Sequence, residues 1–167
     1  MLTRRDWALR QRLLEEERKQ LVPVAGGATI LLVEDDHEMR EMLARTLRRD
    51  GYIVIEAADG DDALEWLGIG ALAGEPARRP ALLVSDIRLP RISGFDLVEG
   101  LSLAGERLPI VLITGFGDAE THARASELGA SCVLDKPFDL TEFRYAVRAA
   151  LRHRTRPAPS SRDGDAL

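Results

Sequence analysis

Thr29-Ile30-Leu31-Leu32-Val33-Glu34-Asp35-Asp36 decides the fold: a short apolar run stops abruptly at consecutive acids. A run of this length without polar alternation suits a strand buried on both faces. The acids then stand where the strand leaves the core. Downstream, Ala81-Leu82-Leu83-Val84-Ser85 runs into Asp86, and Ile110-Val111-Leu112-Ile113 runs into Thr114-Gly115. Residues 130–134 end at Asp135-Lys136-Pro137, and Tyr52-Ile53-Val54-Ile55 supplies a further strand.

Helical spacing fills the gaps. Met39, Met42, Leu43, Thr46 and Leu47 predict one apolar helix face, stopped by Asp50-Gly51. Residues 59–67 predict a helix whose Asp-rich first turn meets the positive end of its own dipole. Residues 68–80 read as a loop rich in Gly, Ala, Pro and Arg that takes some extension of that helix. A helix through Asp96, Leu97 and Leu101 follows, then a weakly apolar one over residues 119–128. Phe143, Val147, Ala150 and Leu151 recur at spacings of three and four in the last. Buried strands alternating with helices predict an α/β fold, a doubly wound five-stranded parallel sheet with right-handed crossovers.

The ends fall outside this pattern. Residues 1–27 are expected to form a charged helix and linker, residues 28–152 the domain, and residues 153–167 a disordered tail of Arg, Pro, Ser and Asp. In the helix, Glu15 and Lys19 stand four apart in the favourable order. Trp7, Leu14 and Leu21 recur every seventh residue, but Arg, Gln and Glu occupy the intervening seam positions. That is half of a coiled-coil pattern, compatible with a solvated helix bearing one apolar edge or with a dimerising or docking helix. Pro23 to Gly27 ends it.

Composition narrows the function classes. The 167 residues are 45% hydrophobic and 31% charged, enough for a packed core and a polar surface. A net charge of −5 argues against a nucleic-acid footprint spread over the surface. Cys132 is the sole cysteine, and His37, His122 and His153 lie far apart, so no zinc-ligand spacing exists. The longest uncharged stretch, residues 21–33, falls short of the ~20 residues of a spanning helix and carries Pro23, Gly26 and Gly27. No apolar leader follows Arg4 and Arg5, so a soluble, cytoplasmic chain without membrane insertion is expected.

In an open parallel sheet, the carboxyl ends of the strands form the ligand crevice. The strand ends therefore gather an acid pair, Glu34 and Asp35, a lone acid, Asp86, a hydroxyl, Thr114, and an amine, Lys136. Three carboxylates facing one amine repel one another unless a cation joins them. A set of hard oxygen ligands suits Mg²⁺, which keeps positions for water and phosphate oxygens. Lysine is scarce: Lys19 and Lys136 stand alone among many arginines, which suggests a role for a compact point charge.

In combination, ILLVEDD (30–36), VSDIRLPRISGFDL (84–97), LITGFGD (112–118) and VLDKPFD (133–139) resemble the receiver domain of two-component response regulators. The resemblance covers about residues 28–152. It implies strand order 2-1-3-4-5, the flavodoxin-like receiver fold, with Mg²⁺ and a phosphoacceptor aspartate in the crevice. By position, Asp86 resembles the phosphoacceptor, and Asp35 the direct Mg²⁺ ligand, with Glu34 acting through water. The resemblance also implies that the backbone carbonyl of Arg88 completes the ligands, and that Thr114 and Lys136 meet phosphoryl oxygens. Asp36 falls outside the acid pair and is expected to cap the next helix. The Lys136–Pro137 bond is expected to be cis. Many receivers carry Tyr or Phe three residues before this lysine; here the residue is Val133, which departs from an aromatic switch.

The implied partners are a histidine kinase or histidine phosphotransfer protein and an unknown downstream protein. No direct nucleic-acid binding is expected, since residues 153–167 are too few for a helix-turn-helix. Weak self-association through the N-terminal helix is one further expectation. Two other readings compete. An aspartyl-phosphate phosphatase would need an acid/base carboxylate two residues beyond the nucleophile, where Arg88 stands. An interaction module that has lost phosphorylation would lack an acid, the lysine or the hydroxyl, and none is missing.

Overall fold

A computed structural model of the chain describes residues 27–72 and 79–154. Five parallel strands form one sheet: β1 (Thr29–Val33), β2 (Ile53–Ala57), β3 (Leu82–Asp86), β4 (Ile110–Thr114) and β5 (Cys132–Asp135). Their order is β2-β1-β3-β4-β5, the order expected. The helices are α1 (His37–Arg49), α2 (Gly60–Leu72), α3 (Gly94–Leu103), α4 (Ala119–Glu127) and α5 (Leu140–Arg154).

Strand side chains alternate between two cores. Ile30, Leu32, Val84, Val111 and Ile113 pack with Leu43 and Leu47 of α1 and Phe143 and Val147 of α5. Leu31, Val33, Leu83 and Leu112 pack on the other face with Ala63 of α2, Phe95 and Leu97 of α3, and Ala125 of α4. Both faces are covered by helices, which is why the central strands read as unbroken apolar runs. β2, at the edge, keeps Ile53 58% exposed.

Several boundaries differ from the sequence reading. α2 takes the extension expected of it and runs to Leu72, because the glycines at 68 and 70 only weaken a helix and do not stop one. α5 runs to Arg154, two residues beyond the expected boundary. The buried face of α1 is Leu43, Ala44 and Leu47, so Met42 turns outward. β5 begins at Cys132: Gly129 has φ +86°, and the Ala130 N–H donates to the Ala125 carbonyl, which commits residue 130 to the end of α4. The expectations for residues 1–26 and 155–167 lie outside the described residues.

Candidate functional site

The chain reverses direction across the sheet between β1 and β3, so α1 and α3 leave on opposite faces and open a crevice at the strand ends. Asp36, as expected, caps α1: its Oδ1 accepts from the Met39 N–H at 2.8 Å. This turns residues 34–36 sharply and leaves Glu34 inside, 1% exposed, and Asp35 exposed. Gly94 opens α3 so close to the end of β3 that a Cβ there would stand 2.5 Å from the Asp86 carbonyl oxygen. Only a glycine lets α3 begin that near the loop after Asp86.

Asp86 is 5% exposed, and both of its oxygens are engaged. Oδ1 accepts from the Arg88 N–H at 2.7 Å, and Oδ2 from Lys136 Nζ at 2.6 Å. The same ammonium donates to Glu34 Oε2 at 3.1 Å, while Glu34 Oε1 accepts from the Asp36 N–H at 3.2 Å. Lys136 thus joins the ends of β1 and β3 from beyond β5. Its own N–H donates to the Thr114 carbonyl at 2.7 Å, and the Lys136–Pro137 bond is cis, as expected. Thr114 is 2% exposed, and its Oγ1 accepts from the Phe116 N–H at 3.1 Å.

The electrostatics follow from burial and crowding. Burial pushes the Glu34 carboxyl up to about 6; the Asp86 charge adds to this, and the Asp36 N–H and Lys136 oppose it. For Lys136, burial favours the neutral amine, but hydrogen bonds and attraction to Asp86 and Glu34 outweigh it and raise its pKa above the ordinary lysine value. One ammonium serves two of the three acids, Glu34 and Asp86. Carboxylate oxygens of Glu34, Asp35 and Asp86 lie within 4.8 Å of one another. An all-oxygen set this compact, with excess negative charge, fits Mg²⁺.

The side chains of Glu34, Asp35, Asp86 and Lys136 therefore meet in one crevice, and Thr114 ends the neighbouring strand β4. Arg88 sends its guanidinium outward, 4.0 Å above the Phe116 ring. Val133 is half-buried against the α2–α3 side of the core. Sequence reading missed Arg40, whose Nη1 donates to the Glu34 carbonyl at 2.7 Å and whose Nε stands 3.6 Å from Glu56. It also missed His122, which contacts Asp135 Oδ1 at 2.9 Å. An arginine and a histidine on charged helices carry no sequence signal that separates them from solvated ones.

Comparison with known proteins points one way. Residues 30–148 match the family model described as the response regulator receiver domain. The chain is 37% identical over 128 residues to response regulator MprA of Mycobacterium avium, covering 77% of this chain and 52% of that protein. It is 38% identical over the same length to MprA of Mycobacterium leprae. The chain thus spans about half the length of the curated relatives it matches. Among solved structures, the non-phosphorylated HemR receiver domain of Leptospira biflexa superposes with a TM-score of 0.66 at 32% identity, covering 79% of this chain and 98% of that one. Chemotaxis protein CheY4 of Vibrio cholerae gives 0.62 at 29% identity, covering 74% and 99%.

Proposed function

The chain belongs to the family of response regulator receiver domains, and on that premise we propose that Asp86 accepts a phosphoryl group from a phosphohistidine of a partner kinase or phosphotransfer protein. One observation carries this reading: a buried carboxylate at a strand end, held by Lys136 Nζ at 2.6 Å and by the Arg88 N–H, beside two further acids.

An Asp86 oxygen attacks phosphorus, the bond to the histidine nitrogen breaks, and the neutral imidazole stays with the partner. The product is an acyl phosphate. Asp35 and Asp86 would hold Mg²⁺, with Glu34 acting through water and the Arg88 carbonyl completing the set; bound there, the ion neutralises charge on the phosphoryl oxygens. Lys136 leaves Asp86 Oδ2 and meets a phosphoryl oxygen. Thr114 Oγ1 accepts a hydrogen bond in the free protein, so its O–H proton is available for a second one.

The chain promotes its own phosphorylation and dephosphorylation and turns over no other substrate. Arg88, two residues on, offers no carboxylate for the acid/base chemistry of an aspartyl-phosphate phosphatase. The output is protein–protein contact. α4 is the element suited to change, since Ala125 is its one buried residue and its other anchors are polar.

Incubation with acetyl phosphate and Mg²⁺ is expected to add one phosphoryl group, read by intact mass. Asp86→Asn is expected to abolish it. Equal labelling of the Asn variant would overturn the assignment.

A further inference from the structure

Two arginines of α1 behave differently. Arg45 pairs with Glu41 along the helix surface at 2.7 Å, with 62% of its side chain exposed. The Arg40 side chain is only 14% exposed and bends back to the end of the sheet. There each guanidinium nitrogen has its own neighbour. Nη1 donates to the Glu34 carbonyl at 2.7 Å, and Nε stands 3.6 Å from Glu56 Oε2 on β2. Nη2 lies 3.3 Å from His37 Nδ1, which accepts, because a guanidinium has only donors. Arg48 holds the other oxygen of the Glu56 carboxylate at 2.8 Å.

The carbonyl that Arg40 grips belongs to the peptide joining the two acids of the crevice. That peptide is trans and planar, so fixing its C=O fixes the opposed direction of the Asp35 N–H and restricts where the Asp35 side chain can point. Glu34 has anchors of its own, in the Asp36 N–H and the Lys136 ammonium. Asp35 has none: it is exposed, and among the described residues no donor bonds its carboxylate. Its place within 4.8 Å of the Glu34 and Asp86 oxygens is therefore set by the backbone.

We infer that Arg40 is a positioning residue for the crevice, whose hydrogen bond to the Glu34 carbonyl sets the Glu34–Asp35 peptide so that Asp35 faces the cation. The inference rests on the reading of Glu34, Asp35 and Asp86 as the Mg²⁺ site. Arg40 itself touches neither the cation nor the phosphoryl group. Charge and support then act in opposite directions. As a nearby positive charge, Arg40 repels Mg²⁺, so by Coulomb forces alone its removal would tighten binding. As the support of a ligand, its removal weakens binding, commonly by about 10–100-fold.

Mg²⁺ titrations of the full chain, followed by the amide NMR shifts of residues 34–36, read the dissociation constant. They are run well above the Glu34 value of about 6, where that carboxyl is ionised. Arg40→Met is expected to weaken Mg²⁺ binding about tenfold. Arg40→Lys keeps the charge but not the planar fork and is expected to weaken it about threefold; it decides the question if Arg40→Met does not fold. Excess Mg²⁺ is expected to return acetyl phosphate labelling of the variants close to the wild-type rate. Folded variants that bind Mg²⁺ as tightly as wild type, or more tightly, would overturn the inference and leave the metal site standing. A wild-type chain that binds no Mg²⁺ would overturn both the inference and the reading beneath it.

Discussion

Arg88 and Phe116 reach toward each other from the loops that follow β3 and β4, the guanidinium carbon 4.0 Å from the ring centroid. Phe116 is 63% exposed, so such a contact contributes about 0.5–1 kcal/mol. Its position matters more than its strength. The two residues stand two beyond Asp86 and two beyond Thr114, and on the proposed phosphorylation of Asp86 they would flank the approach of water to the phosphoryl group. Neither side chain orients a water as a carboxylate or amide would. The acyl phosphate is therefore expected to decay slowly. Arg88→Asn with Phe116→Glu is expected to speed its loss several-fold, measured as label remaining on purified protein over time. Decay at the wild-type rate would show that the pair does not guard the water path.

Among the elements, α3 depends most on its first turn. Ser93 Oγ accepts from the Asp96 N–H at 3.1 Å, and Asp96 Oδ2 accepts from the Ser93 N–H at 2.8 Å and its hydroxyl at 2.7 Å. This closed cap satisfies donors that the helix leaves unpaired and seats Gly94 against Asp86. Ser93→Ala is expected to cost about 1 kcal/mol. The Ser93 hydroxyl, then its N–H, hold the Asp96 carboxyl below the ordinary aspartate value. A lowered folded-state pKa gives stability that is present above the unfolded value and lost as pH falls through the folded one. The gap between wild type and Ser93→Ala is thus expected to be widest near neutral pH and to narrow in acid below the ordinary aspartate range. Denaturant melts at a series of pH values read it directly.

Across the whole molecule, the sheet gathers negative charge at one end. Glu34 from β1 and Asp86 from β3 share Lys136 from beyond β5, and Asp35 joins them without a cation of its own in that cluster. The opposite constraint acts around the back of the sheet, where Arg144 and Arg148 of α5 clamp the buried Asp50 at the end of α1. With that repulsion at the crevice, an ion that binds only the folded state stabilises the domain by mass action. A several-fold excess of Mg²⁺ over its dissociation constant is expected to raise the melting temperature by about 3 °C. Asp35→Ala is expected to remove that response. No Mg²⁺-dependent shift in wild type would refute the assignment of the acids as a metal site.

The sequence by itself determined the sheet and the contents of its crevice. Strands buried on both faces must be continuous apolar runs, so β1, β3 and β4 announced themselves, and the polar residues that ended them could only lie at the carboxyl end of the sheet. Asp36 as a cap was legible for the same local reason. Periodicity reports which way a residue faces, not what it meets. That the Lys136 ammonium bridges Asp86 and Glu34, residues 50 and 102 positions away, depends on strand order and rotamers that only the packed sheet decides. So does the turning of Arg88 onto Phe116, the commitment of Ala130 to the end of α4, and the outward roll of Met42. Each is a competition between two locally acceptable placements that contacts in the folded domain settle.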